Sequence, residues 1–485
     1  MESMDSSSNL WPAPYLPPQK MQQLRATITV GGSKSITNRA FVLAALSSTP
    51  STIYGALRSR DTDLMLQALR AMGTGVDAED PAHGTPNQTV RITPHRLHGG
   101  SINCGLAGTV MRFVPPIAAT AAGSVFFDGD PHARKRPMGP ILQALRQLGV
   151  SVSGDRLPFT INPDQRQNLD DGATELADDF TAHDGDAAFR NIGGEVVVDA
   201  SASSQFISGL LLAAPRYGKG LTLRTKSATP SQPHIDMTLA MLAEAGVDVA
   251  VEADADSGLP VYRIAPTTFE GRDWHVEPDL SNATPFLAAA AVTGGQVTIR
   301  NWPQHTTQAG DQFRTTLGKF GAQVRRVGGD LEVTGPDGGQ LNALDLDMSE
   351  IGELLPTVAA MAVFARGTTR LRGVAHLRGH ETDRLAAMTT ELKRIGVHAV
   401  ELHDGIEINP VVPERLHGAQ WHSYDDHRMA TAGAIVGLRV PGVEVENIGT
   451  TAKTMPNFDL LWSDMLSDVS KAGGNDTAAD EARGE

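Results

Sequence analysis

Leu69-Arg-Ala-Met-Gly73 recurs as Leu145-Arg-Gln-Leu-Gly149, Leu242-Ala-Glu-Ala-Gly246, Leu317-Gly-Lys-Phe-Gly321 and Leu392-Lys-Arg-Ile-Gly396, each time before a Val-containing run. Each copy reads as an amphipathic helix stopped by the left-handed residue that glycine accepts, followed by a strand. The glycines lie 76, 97, 75 and 75 residues apart, the mark of a repeated supersecondary unit. The long interval holds an acidic, Gly-rich stretch from Asp164 to Gly194, read as a surface insertion. A sixth unit would end near residue 471, where Phe458–Leu466 supplies a helix but no strand follows. Leu24–Val30 is a strand pattern with no repeat of its own, and it could complete that last unit. The expectation is six α/β units in two similar domains. The first, 21–32 plus 275–470, is discontinuous, the second spans 33–274, and the crossings lie near Gly32 and Trp274.

Residues 1–20 are Ser- then Pro-rich and read as a mobile arm; the Gly/Ala/Asp/Glu-rich tail 471–485 reads as disordered. The 485 residues carry a net charge of −15, which argues against a nucleic-acid binder. An anionic substrate would need a local basic cluster working against that field. The single cysteine, Cys104, excludes an internal disulfide framework and suits a reducing compartment. The N-terminus lacks the pattern of a secretory or transit peptide, and no apolar run is long enough to span a membrane, so a cytoplasmic protein is expected.

Basic and hydroxyl residues gather where helices should begin. Gly31-Gly-Ser-Lys-Ser35, followed by Arg39, fails the spacing of a nucleotide-binding P-loop but leaves a Lys, a hydroxyl and an Arg at a helix start. The alternative is that Ser35 or Thr37 caps the helix and Lys34 is solvated. Gly105-Leu-Ala-Gly-Thr-Val-Met-Arg112 repeats the logic, with Gly108 allowing close approach of a ligand and Cys104 beside it a small buried residue. Arg134-Lys-Arg136-Pro137 is either a solvated run or a held cation; Ser201-Ala-Ser-Ser-Gln205 either caps a helix or grips phosphate. Glu353 opens an apolar helix, as a general base or as a carboxylate favoured by the helix dipole. His380-Glu-Thr-Asp-Arg384 lacks the second His of a zinc-protease helix; instead Glu381 and Arg384, three apart, would share a helical face. Asp425-Asp-His-Arg428 sets acceptors, an imidazole and a guanidinium at a helix start, and Lys453 sits among hydroxyls. Lys34, Arg39, Arg112, Arg136, Arg384, Arg428 and Lys453 together imply one or two multiply charged anions. Glu353, Glu381 and His427 imply proton transfer.

In this order, Gly32-Ser-Lys-Ser, Ala107-Gly-Thr-Val-Met-Arg, Arg136-Pro, Ser203-Ser-Gln, Ser231-Gln-Pro-His, His380-Glu-Thr-Asp-Arg, Asp426-His-Arg-Met and Ala452-Lys-Thr resemble the 5-enolpyruvylshikimate-3-phosphate synthase family. The resemblance runs from about residue 24 to 468. It implies an α/β fold of two similar domains, each of three βαβαββ units, the inside-out α/β barrel of the enolpyruvyl transferases. It also implies transfer of the enolpyruvyl group of phosphoenolpyruvate to the 5-hydroxyl of shikimate 3-phosphate in chorismate and aromatic amino acid biosynthesis, with no metal or cofactor. By matching positions, Lys34, Ser35, Arg39, Ser203, Ser204, Gln205, Ser231, Glu353 and His380 would hold shikimate 3-phosphate. Lys34, Gly108, Arg136, Gln205, Arg384, Arg428 and Lys453 would hold phosphoenolpyruvate, whose pocket glyphosate also occupies in the family. Glu353, Glu381, Lys34 and His427 would be catalytic. Glu353 stands where many relatives have Asp, His380 where many have Lys, and Leu106 where Asn is common. The rivals are the sister transferase acting on UDP-N-acetylglucosamine, which would want a reactive Cys in a mobile loop, and a non-catalytic anion-binding protein. Neither nucleic acid nor membrane is an expected partner, and a monomer is expected.

Overall fold

The five repeated glycines all take positive φ, between 83° and 102°, so each helix ends where the sequence places its stop. The computed structural model describes residues 9–80, 86–163 and 191–471, and these fall into two units, one within Met1–Gly31 and Glu277–Glu485, the other Gly32–Val276. Each has its own apolar core.

The Gly32–Val276 unit contains three four-stranded sheets of one design, a parallel pair followed by an antiparallel hairpin, and in two of them a helix joins the parallel pair. In the second sheet His98–Asn103 runs parallel to Ala122–Asp128, which pairs antiparallel with Phe159–Asn162, and that with Ser151–Ser153. Gly194–Val198, Leu221–Thr225, Pro260–Ile264 and Val249–Ala253 repeat the order. In the first sheet the leading strand comes from the far end of the unit, Asp273–His275 beside Ser51–Leu57. Three helices, Lys34–Leu46, Gly108–Ala118 and Gln205–Ala213, are buried over nearly their whole length. Beyond their first turns and a half, which carry the polar residues, their sequences are apolar all round and admit no solvent face. The other three, Arg60–Ala71, Gly139–Gln147 and Gln232–Glu244, bury one side.

The other unit repeats this plan. Leu280–Thr293, Leu355–Ala362 and His427–Gly437 are its buried helices. Its first two sheets are four-stranded, with Arg25–Ile28 leading one and Asp345–Asp347 the other. The fold is thus two similar α/β units of three repeats each, an inside-out α/β barrel.

Two expectations are corrected here. Leu24–Val30 does not complete the last repeat: Arg25–Ile28 pairs with Gln296–Ile299 in the fourth. The last sheet is closed instead by Leu10–Pro12, antiparallel to Glu444–Glu446, which runs parallel to Gln420–Trp421. Residues 9–20 are therefore not a structureless arm. Ala13 and Leu16 are buried, their amides donating to Val443 O at 2.9 Å and Leu438 O at 3.0 Å, and Pro18–Met21 forms a helical turn. A proline ends this edge strand where no ladder donor is needed, and pairing removes an exposed sheet edge. Of the expected insertion (164–194) and tail (471–485), residues 164–190 and 472–485 lie outside the described residues, while Gly194 already opens the strand Gly194–Val198 and Lys471 ends the helix Phe458–Lys471. Among the described residues no helix is long and apolar enough to cross a membrane.

Candidate active site

In the Gly32–Val276 unit the three buried helices begin side by side. Asn38 donates to Thr109 Oγ1 at 2.7 Å, tying the second turn of Lys34–Leu46 to the first turn of Gly108–Ala118. A Cβ on Gly108 would lie 3.2 Å from Gln205 Oε1 and 3.4 and 3.5 Å from the Arg136 terminal nitrogens, so the start of Gln205–Ala213 joins them. Gly209 keeps those two helices close, because a Cβ there would stand 2.2 Å from Arg112 O. Three helix N-termini thus add their unsatisfied N–H groups and dipoles at one place, as anion binding requires.

The cations there differ in how they are held. Ser33, rather than Ser35 or Thr37, caps the first helix. Lys34 lies partly exposed, 3.4 Å from the buried Asp61. Arg136 donates to Leu106 O at 3.2 Å and faces Gly108, while Arg134 of the same run turns outward onto Asp128. Arg112 is buried, reaching Pro137 O at 3.2 Å with its guanidinium over Phe206. Arg39 is buried and donates only to neutral acceptors, Thr238 Oγ1 (2.8 Å), His234 O (2.9 Å), Ser35 O (3.0 Å) and Ser208 Oγ (3.4 Å), with Phe113 alongside. Burial pulls its guanidinium down to about 9, which still leaves it charged at neutral pH. Ser203 Oγ accepts from Gln205 N at 3.2 Å, and Ser231 precedes its helix in a left-handed conformation, φ 56°. Cys104 is buried, and burial, against the pull of Arg112, pushes its thiol up to about 12. It is inert packing, as expected.

The second cluster lies at the helix starts of the other unit. Ser281 Oγ donates to Glu353 Oε1 at 2.5 Å, and Arg428 Nη1 donates to Ser281 O at 3.2 Å with Nη2 4.0 Å from Glu353. Asp426 caps His427–Gly437 by accepting from Arg428 N at 2.9 Å, and the same buried carboxylate takes a two-point grip from Arg384, Nε at 2.7 Å and Nη2 at 3.1 Å. Glu381 accepts from Arg384 Nη2 at 3.3 Å and from Lys453 Nζ, with His380 3.9 Å away. Burial would lower the Arg384 guanidinium, but Asp426 and Glu381 outweigh it and hold it above its ordinary value. His427 Nδ1 lies 3.7 Å from Asp426.

Glu381 and Arg384 meet, but not through a shared helical face. Asp383 caps the helix, which begins at Arg384, so Glu381 reaches the guanidinium from the preceding loop. Sequence reasoning passed over Asp61, which reads as an ordinary acidic first turn, and Ser281, which reads as part of the capping sequence after Asp279. Asp426 showed as an acceptor without any sign that it would grip Arg384.

Comparison with known proteins agrees over nearly the whole length. The family described as EPSP synthase (3-phosphoshikimate 1-carboxyvinyltransferase) matches residues 18–173 and 182–461. A 3-phosphoshikimate 1-carboxyvinyltransferase of Kocuria rhizophila is 49% identical over 472 residues, covering 95% of this chain and 97% of the relative. Two solved structures of EPSP synthase from Acinetobacter baumannii, each 24% identical, align over 91% of this chain and 95% of theirs with TM-scores of 0.66 and 0.65, a likeness of fold.

Proposed function

The chain belongs to the EPSP synthase family, and from that premise we propose how its helix tips carry out the reaction. It transfers the enolpyruvyl group of phosphoenolpyruvate to the 5-hydroxyl of shikimate 3-phosphate, releasing phosphate, in aromatic biosynthesis. Lys34, Ser35, Ser203, Ser204, Gln205 and Ser231 hold shikimate 3-phosphate through hydroxyls, an amide and helix-tip N–H groups. Arg39 already gives four of its five N–H donors to protein, so a contact with that substrate draws on the second Nη1 hydrogen or exchanges one of the four. Lys34, Gly108, Arg136, Gln205, Arg384, Arg428 and Lys453 hold phosphoenolpyruvate. Glu353 and His380 complete the shikimate side.

Glu353 accepts the hydroxyl proton as the oxygen bonds to C2 of phosphoenolpyruvate, and C3 takes a proton from Glu381. Elimination reverses the second transfer: the C2–O bond to phosphate breaks, a C3 proton returns to Glu381, and the proton taken by Glu353 leaves with the phosphate. The observation that carries this reading is Glu381 held between Arg384 and Lys453. A carboxylate so paired is a weak base. When Lys453 turns to a substrate anion its hold on Glu381 slackens, and the proton affinity of the carboxylate rises. Fixed cations stabilise charge moving between carboxylate and phosphate without reorganising, and His427 supports them. The working form is taken to be a cytoplasmic monomer. A phosphate-release assay with shikimate 3-phosphate and, in parallel, UDP-N-acetylglucosamine tests the reading. Turnover with the first acceptor alone is expected, and none with it overturns the proposal.

A further inference from the structure

Two successive non-glycine residues, Tyr424 (φ 55°) and Asp425 (φ 54°), are left-handed immediately before Asp426. Side chains rarely adopt that conformation, and two in a row persist only where the surroundings enforce it. The enforcing group is Glu391, a fully buried carboxylate that the reaction as assigned does not use. Its Oε1 accepts from Tyr424 Oη at 2.7 Å, and its Oε2 accepts from His422 N and from Arg394 Nε, both at 3.1 Å. Glu391 and Arg384 belong to one helix, Arg384–Arg394, seven residues apart and so on one face two turns from each other. That face grips the 422–426 segment twice, by Glu391 near its start and by Arg384 on Asp426. Asn447 Nδ2 to Asp425 Oδ1 (2.8 Å) and Thr450 Oγ1 to Asp425 O (3.0 Å) pin the turn from the other side.

We propose that Glu391 and Tyr424 are positioning residues for phosphoenolpyruvate. They lock the left-handed turn that aims Asp426, and through Asp426 they set both the Arg384 guanidinium and the Arg428 helix tip. The proposal rests on the assignment of Arg384 and Arg428 to that substrate. Neither Glu391 nor Tyr424 touches the reacting atoms in this account.

Tyr424→Phe removes only the hydroxyl. In the full-length enzyme it should raise KM for phosphoenolpyruvate about tenfold while KM for shikimate 3-phosphate moves less than about twofold, because most groups assigned to that substrate lie on other helices. Glu391→Gln can keep its oxygen on His422 N and Arg394 while its amide donates to the Tyr424 hydroxyl, and should retain near-normal kinetics; Glu391→Leu should match Tyr424→Phe, and the double variant should be no worse than either. Amide exchange at Arg428 should quicken in Tyr424→Phe, with the helix Leu355–Ala362 unaffected. This readout is independent of turnover: a wild-type chain with no activity sinks the functional reading, and the exchange data still judge the turn. A lower melting temperature with both KM values and the Arg428 exchange unchanged overturns the positioning role.

Discussion

Gly108→Ala is the sharpest perturbation available. Gly108 opens its helix, and its φ is not positive, so alanine suits the backbone there. The added methyl meets Gln205 Oε1 at 3.2 Å, a few tenths of an ångström inside ordinary contact, and rests against the Arg136 guanidinium at 3.4 and 3.5 Å. Gln205 must give way, which stretches a charge-assisted hydrogen bond from its amide to the anion from about 2.8 Å to about 3.2 Å, near the edge of useful geometry. Such a bond contributes about 1.5–3 kcal/mol, and losing roughly half costs about 1–1.5 kcal/mol. That corresponds to a rise of about five- to tenfold in KM for phosphoenolpyruvate. Glyphosate, expected in the same pocket, should lose inhibition by at least that factor. Initial rates with each substrate varied in turn, then inhibition curves, supply the test. Unchanged KM for phosphoenolpyruvate would refute the placement of Gln205 and Gly108 against that anion.

Glu381→Ala should lower kcat about a thousandfold, within the range for a lost acid–base group, while calorimetry finds shikimate 3-phosphate still bound; equal loss of binding counts against the assigned role. His376 is held down to about 4 by burial and then by Arg384, and its Nε2 has no hydrogen-bond partner among the described residues. Since its pKa is lower folded than unfolded, stability is full above about pH 6.5 and drains away as pH falls towards 4, by at most about 3 kcal/mol. Urea titrations of wild type and His376→Phe between those pH values should diverge; parallel curves refute the shift. Deleting residues 1–13 leaves Glu444–Glu446 without its antiparallel partner and should lower the melting temperature by several degrees, about 1–3 kcal/mol. No change in melting would mean that the strand Leu10–Pro12 adds nothing.

What the sequence disclosed was whatever is written locally. Five helix ends were legible because a left-handed terminus nearly demands glycine, and their spacing then gave the repeat. Helix tips bearing Lys34, Gly108, Gln205 and Arg428 were legible because capping residues and small or basic neighbours announce a first turn. The closing strand Leu10–Pro12 was not: three residues carry no alternation, and flanking prolines point to irregular chain. Nor could spacing reveal that Arg134 turns to Asp128 while Arg136 turns to Gly108, since the choice is made by a strand end outside the run. Arg39 shows the same limit. Its partners Ser208, His234 and Thr238 stand 169 to 199 residues away, so only the fold could reveal that this cation is wrapped in protein.

That wrapping bears on how an acidic chain attracts anions. A guanidinium surrounded by neutral acceptors keeps its field, and Arg39, lying beneath the start of its helix, adds to the N–H groups and to Lys34 above it. Arg384 is the opposite case. Its two-point grip on Asp426 largely cancels its charge at a distance but fixes its direction closely. The first arrangement suits capture and the second suits chemistry, where a misplacement of an ångström weakens a charge-assisted contact. In the proposed reaction Asp426 takes no proton and so can serve as that anchor. Glu381, which changes protonation in the proposed reaction, shares the same guanidinium by a longer contact, 3.3 Å, and from a loop. The division of labour between a fixed carboxylate and an exchanging one explains why two acids crowd one arginine in a site built for an anion.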